Sequence, residues 1–190
     1  MLKKSLGILL LVAATPAMAD ISYNYIDLGY QRIELDGGGF DVDGDGFAIG
    51  GSFEIAEDWF VAAGYGTADF DFGVDLDQTA IGLGYKSEIS PTSDVFATVS
   101  YVRAEVSATG FGSADDSGFG ISVGVRAMMS DNFELNGSIG YVDLDDFGDG
   151  TSFNAAGLYS FNESFALGVD LGIEEDVTSY GLFGRIYFGN

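Results

Sequence analysis

An all-β fold, its strands running up and down antiparallel and closing into a transmembrane barrel, is what three features of the 190-residue sequence predict. A targeting segment opens the chain, later segments of about ten residues alternate apolar with small side chains, and aromatic residues mark both ends of the apolar stripes. The opening comes first. Lys3 and Lys4 precede the apolar run Leu6 to Ala14, Pro16 ends it, and Ala17-Met18-Ala19 offers small residues for cleavage. This is the layout of a secretory signal peptide over residues 1–19, since the apolar run is about half of the roughly 20 residues a spanning helix needs. The chain has no cysteine, which excludes a lipid anchor at the cleavage site. Residues 20–190 then form one β-barrel domain.

The strands follow from a period of two. Phe119, Ile121, Val123, Val125 and Ala127 share one face against Gly118, Gly120, Ser122, Gly124 and Arg126. Phe165, Leu167, Val169, Leu171 and Ile173 likewise oppose Ser164, Ala166, Gly168, Asp170 and Gly172. Strands are expected near 21–34, 46–55, 59–68, 77–86, 94–106, 118–128, 132–142, 151–161, 164–174 and 178–188. Gly/Asp-rich stretches at 35–45, 69–76, 107–117 and 143–150 read as longer loops at one end, and 56–58, 129–131 and 162–163 as short turns at the other. Ten strands is the expected count. Eight is the alternative, because 87–93 is long for a turn and 175–177 short for a loop.

Composition narrows the function. Thirty acidic residues stand against seven basic ones, for a formal charge of -23, so binding nucleic acid through a basic surface is excluded. Without Cys or His, thiolate and imidazole catalysis, haem ligation and nearly every zinc site are excluded as well, and no enzyme is expected. With 47% apolar and 14% aromatic residues, the acidity does not signal disorder.

The two faces then assign themselves. A water-exposed strand face would carry Lys, Glu, Gln and Thr, whereas the non-apolar face here is mostly Gly, Ala and Ser, sizes that suit a confined interior. The apolar face is therefore expected to meet lipid. Trp59 and Tyr65, Phe133 and Tyr141, Phe153 and Phe161, and Tyr180 and Phe188 are each an even number of residues apart, as the rings of two membrane-interface girdles would be.

The opening strand Tyr23-Asn24-Tyr25-Ile26-Asp27-Leu28-Gly29-Tyr30, the Gly-aromatic endings Gly64-Tyr65 and Gly84-Tyr85, and the closing segment Tyr180 to Phe188 carry a resemblance. The chain resembles the small outer-membrane β-barrel proteins of Gram-negative bacteria, typified by the OmpA membrane domain and OmpX. The resemblance implies the cell outer membrane as location, with outer-membrane lipid, lipopolysaccharide and the barrel-assembly machinery as partners, and a monomer. Such barrels end in an aromatic residue; here Gly189 and Asn190 follow Phe188, a departure from that pattern.

Charges mark candidate sites. With the first strand rising from the periplasm, Glu54, Lys86, Arg126, Glu134 and Arg185 fall on inward positions near the periplasmic end, and a salt-bridge cluster closing the lower lumen is expected. Asp27 and Asp170 lie higher on the same wall as further members. The cluster reads as a plug, or alternatively as the gate of a narrow porin-like channel. Most other acids crowd the outer end. Among them Asp41, Asp43 and Asp45 begin Asp-x-Asp-x-Asp-Gly, the start of a calcium loop, although Ser52 stands where such a loop needs its Glu. Calcium is the one cofactor considered. Arg32 and Arg103 are expected on the outward face near the upper rim, in reach of lipopolysaccharide phosphates. Phe40, Phe72, Phe111 and Phe147 fall near the loop tips. The expected role is envelope structure and integrity. A channel for small solutes, or surface interaction or cation binding through the acidic loops, are the alternatives.

Overall fold

The computed structural model describes residues 21–37 and 40–189. They form β1 (Tyr25–Gly37), β2 (Phe40–Ala56), β3 (Trp59–Phe70), β4 (Val74–Ser90), β5 (Ser93–Ala108), β6 (Gly112–Ser130), β7 (Phe133–Leu144), β8 (Gly148–Asn162), β9 (Phe165–Glu174) and β10 (Val177–Tyr187). Every strand pairs antiparallel with its chain neighbours, and β1 closes on β10 through eleven register pairs from Tyr25↔Tyr187 to Leu35↔Val177. The barrel has ten strands, not eight. The signal-peptide reading at 1–19 lies outside the described residues.

Both ambiguous connections are tight hairpins. Pro91-Thr92 turns β4 into β5, and Glu175-Asp176 joins β9 to β10. At the lower end, where β1 begins and β10 ends, the register slips by one residue beside each turn, at Glu54/Ala56, Glu88/Ser90, Met128/Ser130 and Ser160/Asn162. A bulge of this kind strengthens local twist and lets a short turn close a hairpin.

The upper end differs from expectation. The stretches read as long loops are mostly strand: β2 starts at Phe40, β4 at Val74, β6 at Gly112 and β8 at Gly148, leaving turns at 71–73, 109–111 and 145–147. Gly and Asp are poor strand formers where the ladder must be nucleated. Here the register is already fixed by the lipid-facing part of each strand, and each hairpin partner continues the ladder, as from Val106↔Ala114 to Ala108↔Gly112 between β5 and β6, so the wall extends upward despite its composition.

Parity along each strand separates two unlike surfaces. Ile26, Leu28, Phe47, Ile49, Ile81, Val123, Leu167 and Val169 point outward and are exposed, as a lipid-facing wall requires. The inner face is rich in glycine for a specific reason. Phe60, Phe70, Phe96 and Phe183 project inward and lie over the glycine directly across the ladder: Gly84, Gly44, Gly124 and Gly168. A Cβ at those glycines would sit 2.1, 2.5, 2.5 and 2.4 Å from the ring. Glycine on one strand therefore makes room for the aromatic ring of the next, and the ring in turn covers the bare backbone.

Candidate functional site: the floor of the lumen and the outer rim

Inward parity brings Glu54 (β2), Lys86 (β4), Arg126 (β6), Glu134 (β7) and Arg185 (β10) to the lower lumen. Lys86 Nζ donates to Glu54 Oε1 at 2.6 Å. Arg126 is bidentate, Nε to Glu134 Oε1 at 2.7 Å and Nη2 to Oε2 at 3.1 Å. Arg185 is bidentate to Asp27, with Nε and Nη2 both at 2.7 Å. Arg126, Glu134 and Arg185 are all buried. Bidentate guanidinium–carboxylate pairing matches charge and geometry and so helps to hold these groups away from bulk water, with Arg185 Nη1 the one buried guanidinium nitrogen among the described residues that has no hydrogen-bond partner. Asp170 does not join the layer: it forms no ion pair with a described residue and faces Gly181 on β10. Its place is taken by Asp27, because Asp27 is cross-strand from Arg185 whereas Asp170 sits higher on β9.

The chain before β1 completes the floor. Residues 21–24, expected as the start of a strand, turn into the barrel instead. Tyr23 is 2% exposed, its ring 4.7 Å from that of Phe60. Its N–H donates to Glu54 Oε1, Arg126 Nη1 donates to the Ser22 carbonyl at 2.9 Å, and Glu54 N–H donates to Asn24 Oδ1 at 2.9 Å. These partners replace the ladder bonds the segment forgoes. Tyrosines also thread the cations: Lys86 and Arg126 lie 4.8 and 4.4 Å over the Tyr23 ring, and Arg185 lies 3.6 Å over Tyr25. Cation–π contacts of this kind add about 0.5–2 kcal/mol each, more as water is excluded. Strand parity held the signal for Tyr25: with Ile26 and Leu28 outward, it had to point in. Nothing in the alternation marks Ser22 and Tyr23 as leaving the strand.

The eight girdle aromatics all point outward and are exposed. Trp59 packs edge-on to Tyr85, Phe161 contacts Tyr159 and Phe165, and Phe188 stacks on Phe53, forming the lower belt. Tyr65, Tyr141, Phe153 and Tyr180 lie in the upper belt, which also includes the pairs Tyr30–Phe47 and Tyr101–Phe119.

Above that belt the outer wall turns acidic. Arg32 and Arg103 are outward as expected. Arg32 donates to Asp43 at 2.6 Å with Asp45 at 3.5 Å, and Arg103 donates to Asp115 at 3.2 Å. Tyr30 and Tyr180 hydroxyls donate to Asp45 and Glu34 at 2.6 and 2.7 Å. The Asp41-Asp43-Asp45 run is not the wrapped loop its motif suggested. It lies on β2, where alternate residues stand roughly 7 Å apart along one face. Asp43 and Asp45 are engaged by Arg32 and Tyr30, and the Asp41 side chain lies outside the described residues. No group of three metal-binding side chains occurs among the described residues.

The model of the family described as outer membrane protein beta-barrel domain matches residues 5–171. The chain belongs to that family. Members are bacterial outer-membrane proteins, so the belts of this barrel mark the two interfaces of that membrane. Comparison with curated proteins returns no match. Among solved structures, an outer membrane channel from Pseudomonas putida F1 aligns over 93% of this chain and 100% of its own, at 12% identity and TM-score 0.58, a likeness of fold. Ail, the attachment invasion locus protein of Yersinia pestis, aligns over 87% and 99% at 17% identity with TM-score 0.43. The KdgM porin in complex with disordered oligogalacturonate aligns over 87% and 99% at 10% identity with TM-score 0.48.

Proposed function

We propose that this outer-membrane barrel serves envelope structure and integrity and is closed to solutes at its periplasmic end. The observation that carries the reading is the floor, where Tyr23 and the Ser22 carbonyl are drawn between Glu54, Arg126 and Phe60. In this reading the signal peptide exports the chain, the barrel-assembly machinery inserts it, and it stands as a monomer among lipid and lipopolysaccharide. The floor carboxylates Asp27, Glu54 and Glu134 are each bound to a cation, which favours a structural over a catalytic use.

A narrow channel is the second reading, and one observation favours it. Above the floor the wall carries Thr98, Ser100, Ser122, Ser138 and Ser152, and the inward Asn154 is exposed to solvent, so the upper lumen is wet and polar. Single-channel recording in planar bilayers separates the two. The intact protein is expected to be silent, and deletion of residues 21–24 to produce conductance. Conductance by the intact protein would replace the first reading with the second.

A further inference from the structure

Three neighbouring upper turns each present a Phe-Gly pair: Asp71-Phe72-Gly73, Gly110-Phe111-Gly112 and Asp146-Phe147-Gly148. They form one surface. Thr109 N–H donates to the Gly73 carbonyl at 2.9 Å, tying the first turn to the second. Phe111 and Phe147 flank a cleft of about 410 Å³ that is also lined by the inward-facing Val106, Ala108 and Ala114. The third turn is held rigidly: the buried Asp116 carboxylate accepts the N–H groups of Asp146 and Phe147, both at 2.7 Å, and of Ser117 at 2.8 Å.

The rings themselves are uncovered. Phe72 is 92% exposed and Phe111 94%. Phe72 also occupies a left-handed conformation, φ 68° and ψ 13°, followed by Gly73 at φ 71°. Two successive left-handed residues suit Asn-Gly, and a bulky ring there is strained. A side chain that costs strain and buries nothing within the barrel is placed for something outside it.

Charge identifies the kind of partner. Asp71, Asp75, Asp115, Asp145 and Asp146 surround the turns, and the upper-end cations Arg32 and Arg103 are already paired with carboxylates. A second copy would bring acids against acids. Bilayer lipid lies below, at the level of Tyr101 and Phe119. We propose that the three turns form a docking surface for a cationic amphipathic peptide segment. One of its apolar side chains enters the Phe111–Phe147 cleft, and its Lys or Arg residues rest on the surrounding aspartates.

The test uses the full barrel in zwitterionic nanodiscs, with empty-disc binding subtracted, and three fluorescent peptides: an amphipathic Lys/Leu helix, a Lys/Ser peptide of equal charge, and a Glu/Leu helix. The Lys/Leu peptide is expected to bind saturably. The F111S/F147S variant should weaken it about tenfold or more, since central aromatic anchors dominate such contacts. Raising salt from about 50 to about 300 mM should weaken it several-fold by screening. Because both rings lie at the turns, the variant should keep the heat-modifiable SDS mobility of a folded barrel. Equal binding of the Lys/Ser or Glu/Leu peptide, unchanged affinity of the variant, or association of one barrel with another through these turns would each overturn the proposal.

Discussion

Replacing Glu134 with Gln tests the floor most directly. The Arg126 and Glu134 side chains are only 4% and 5% exposed, and Glu134 receives two of the three hydrogen bonds that Arg126 donates. Glu134→Gln keeps the size and one acceptor but removes the carboxylate hydrogen-bonded to Arg126, leaving the neutral Ser22 carbonyl as its other hydrogen-bond partner and Asp94, across the ladder, without a hydrogen bond to it. Breaking one side of a buried pair costs about 3–5 kcal/mol, because the remaining charge stays desolvated. The double change Arg126→Met/Glu134→Leu removes both charges and should cost much less than Glu134→Gln alone. Urea unfolding in lipid vesicles gives the readout. Trp59, the only tryptophan, sits at the lower interface next to Tyr85, and its emission should shift when the barrel leaves the bilayer. A Glu134→Gln cost below about 1 kcal/mol, the range of exposed pairs, would refute the claim that the floor is dry and charge-matched.

Gly84→Val should destabilise the barrel by about 1–3 kcal/mol, because even its Cβ would stand 2.1 Å from the Phe60 ring, which is also packed against Tyr23; the same urea titration reads it. Gly137→Ala, where a Cβ meets nothing within 4 Å, is the matched control and should be near neutral. Asp116, above the upper belt, has its carboxyl held below the ordinary value: desolvation pushes it up, but hydrogen bonds from the Asp146, Phe147 and Ser117 amides outweigh that. Its contribution is therefore complete above the unfolded carboxylate range and lost as pH falls through the lowered value, so amide protection at Asp146 and Phe147 should collapse only in acid; protection unchanged across that range would count against it. Nitroxides at Val123 and Val169, both outward and exposed, should be quenched by dissolved oxygen rather than by aqueous nickel, and the reverse would invert the barrel's faces.

What the sequence disclosed was whatever parity governs. Alternation of the kind seen from Phe119 to Ala127 and from Phe165 to Ile173 determined which side chains meet lipid, and position near the lower strand ends then placed Lys86, Arg126, Glu134 and Arg185 in one layer. Parity places Asp27 and Asp170 alike, higher on the inner wall as further members, and only register tells them apart: the β1–β10 seam puts Asp27 opposite Arg185, whereas Asp170 lies opposite Gly181. Strand ends at the rim were misread for another reason. Local propensity argued for loops in Asp41 to Asp45 and Ser113 to Ser117, but the β1–β2 and β5–β6 hairpin ladders run on through them. The inward turn of residues 21–24 depends on partners remote in the chain, with Ser22 and Arg126 separated by 104 positions, and short-range pattern holds no trace of that.

The acidic outer wall and the uncovered turns are mechanically linked. Asp43, Asp77, Asp115 and Asp143 share the outward parity of Phe47, Ile81, Phe119 and Tyr141, so sliding the barrel deeper would carry carboxylates into hydrocarbon, at a cost that grows with depth. Sliding it the other way would pull Trp59, Phe133 and Phe161 out of the lower interface. The two belts and the carboxylates above them therefore fix the barrel's height. The ladder continues from there as an unbroken wall through β6 to Gly112, so the 109–111 turn is carried on a strand anchored in the membrane rather than on a loose loop. Asp116 gives the same rigidity to the 145–147 turn. A surface built this way presents Phe72, Phe111 and Phe147 at a set distance from the bilayer, which lowers the ordering cost of any contact made there.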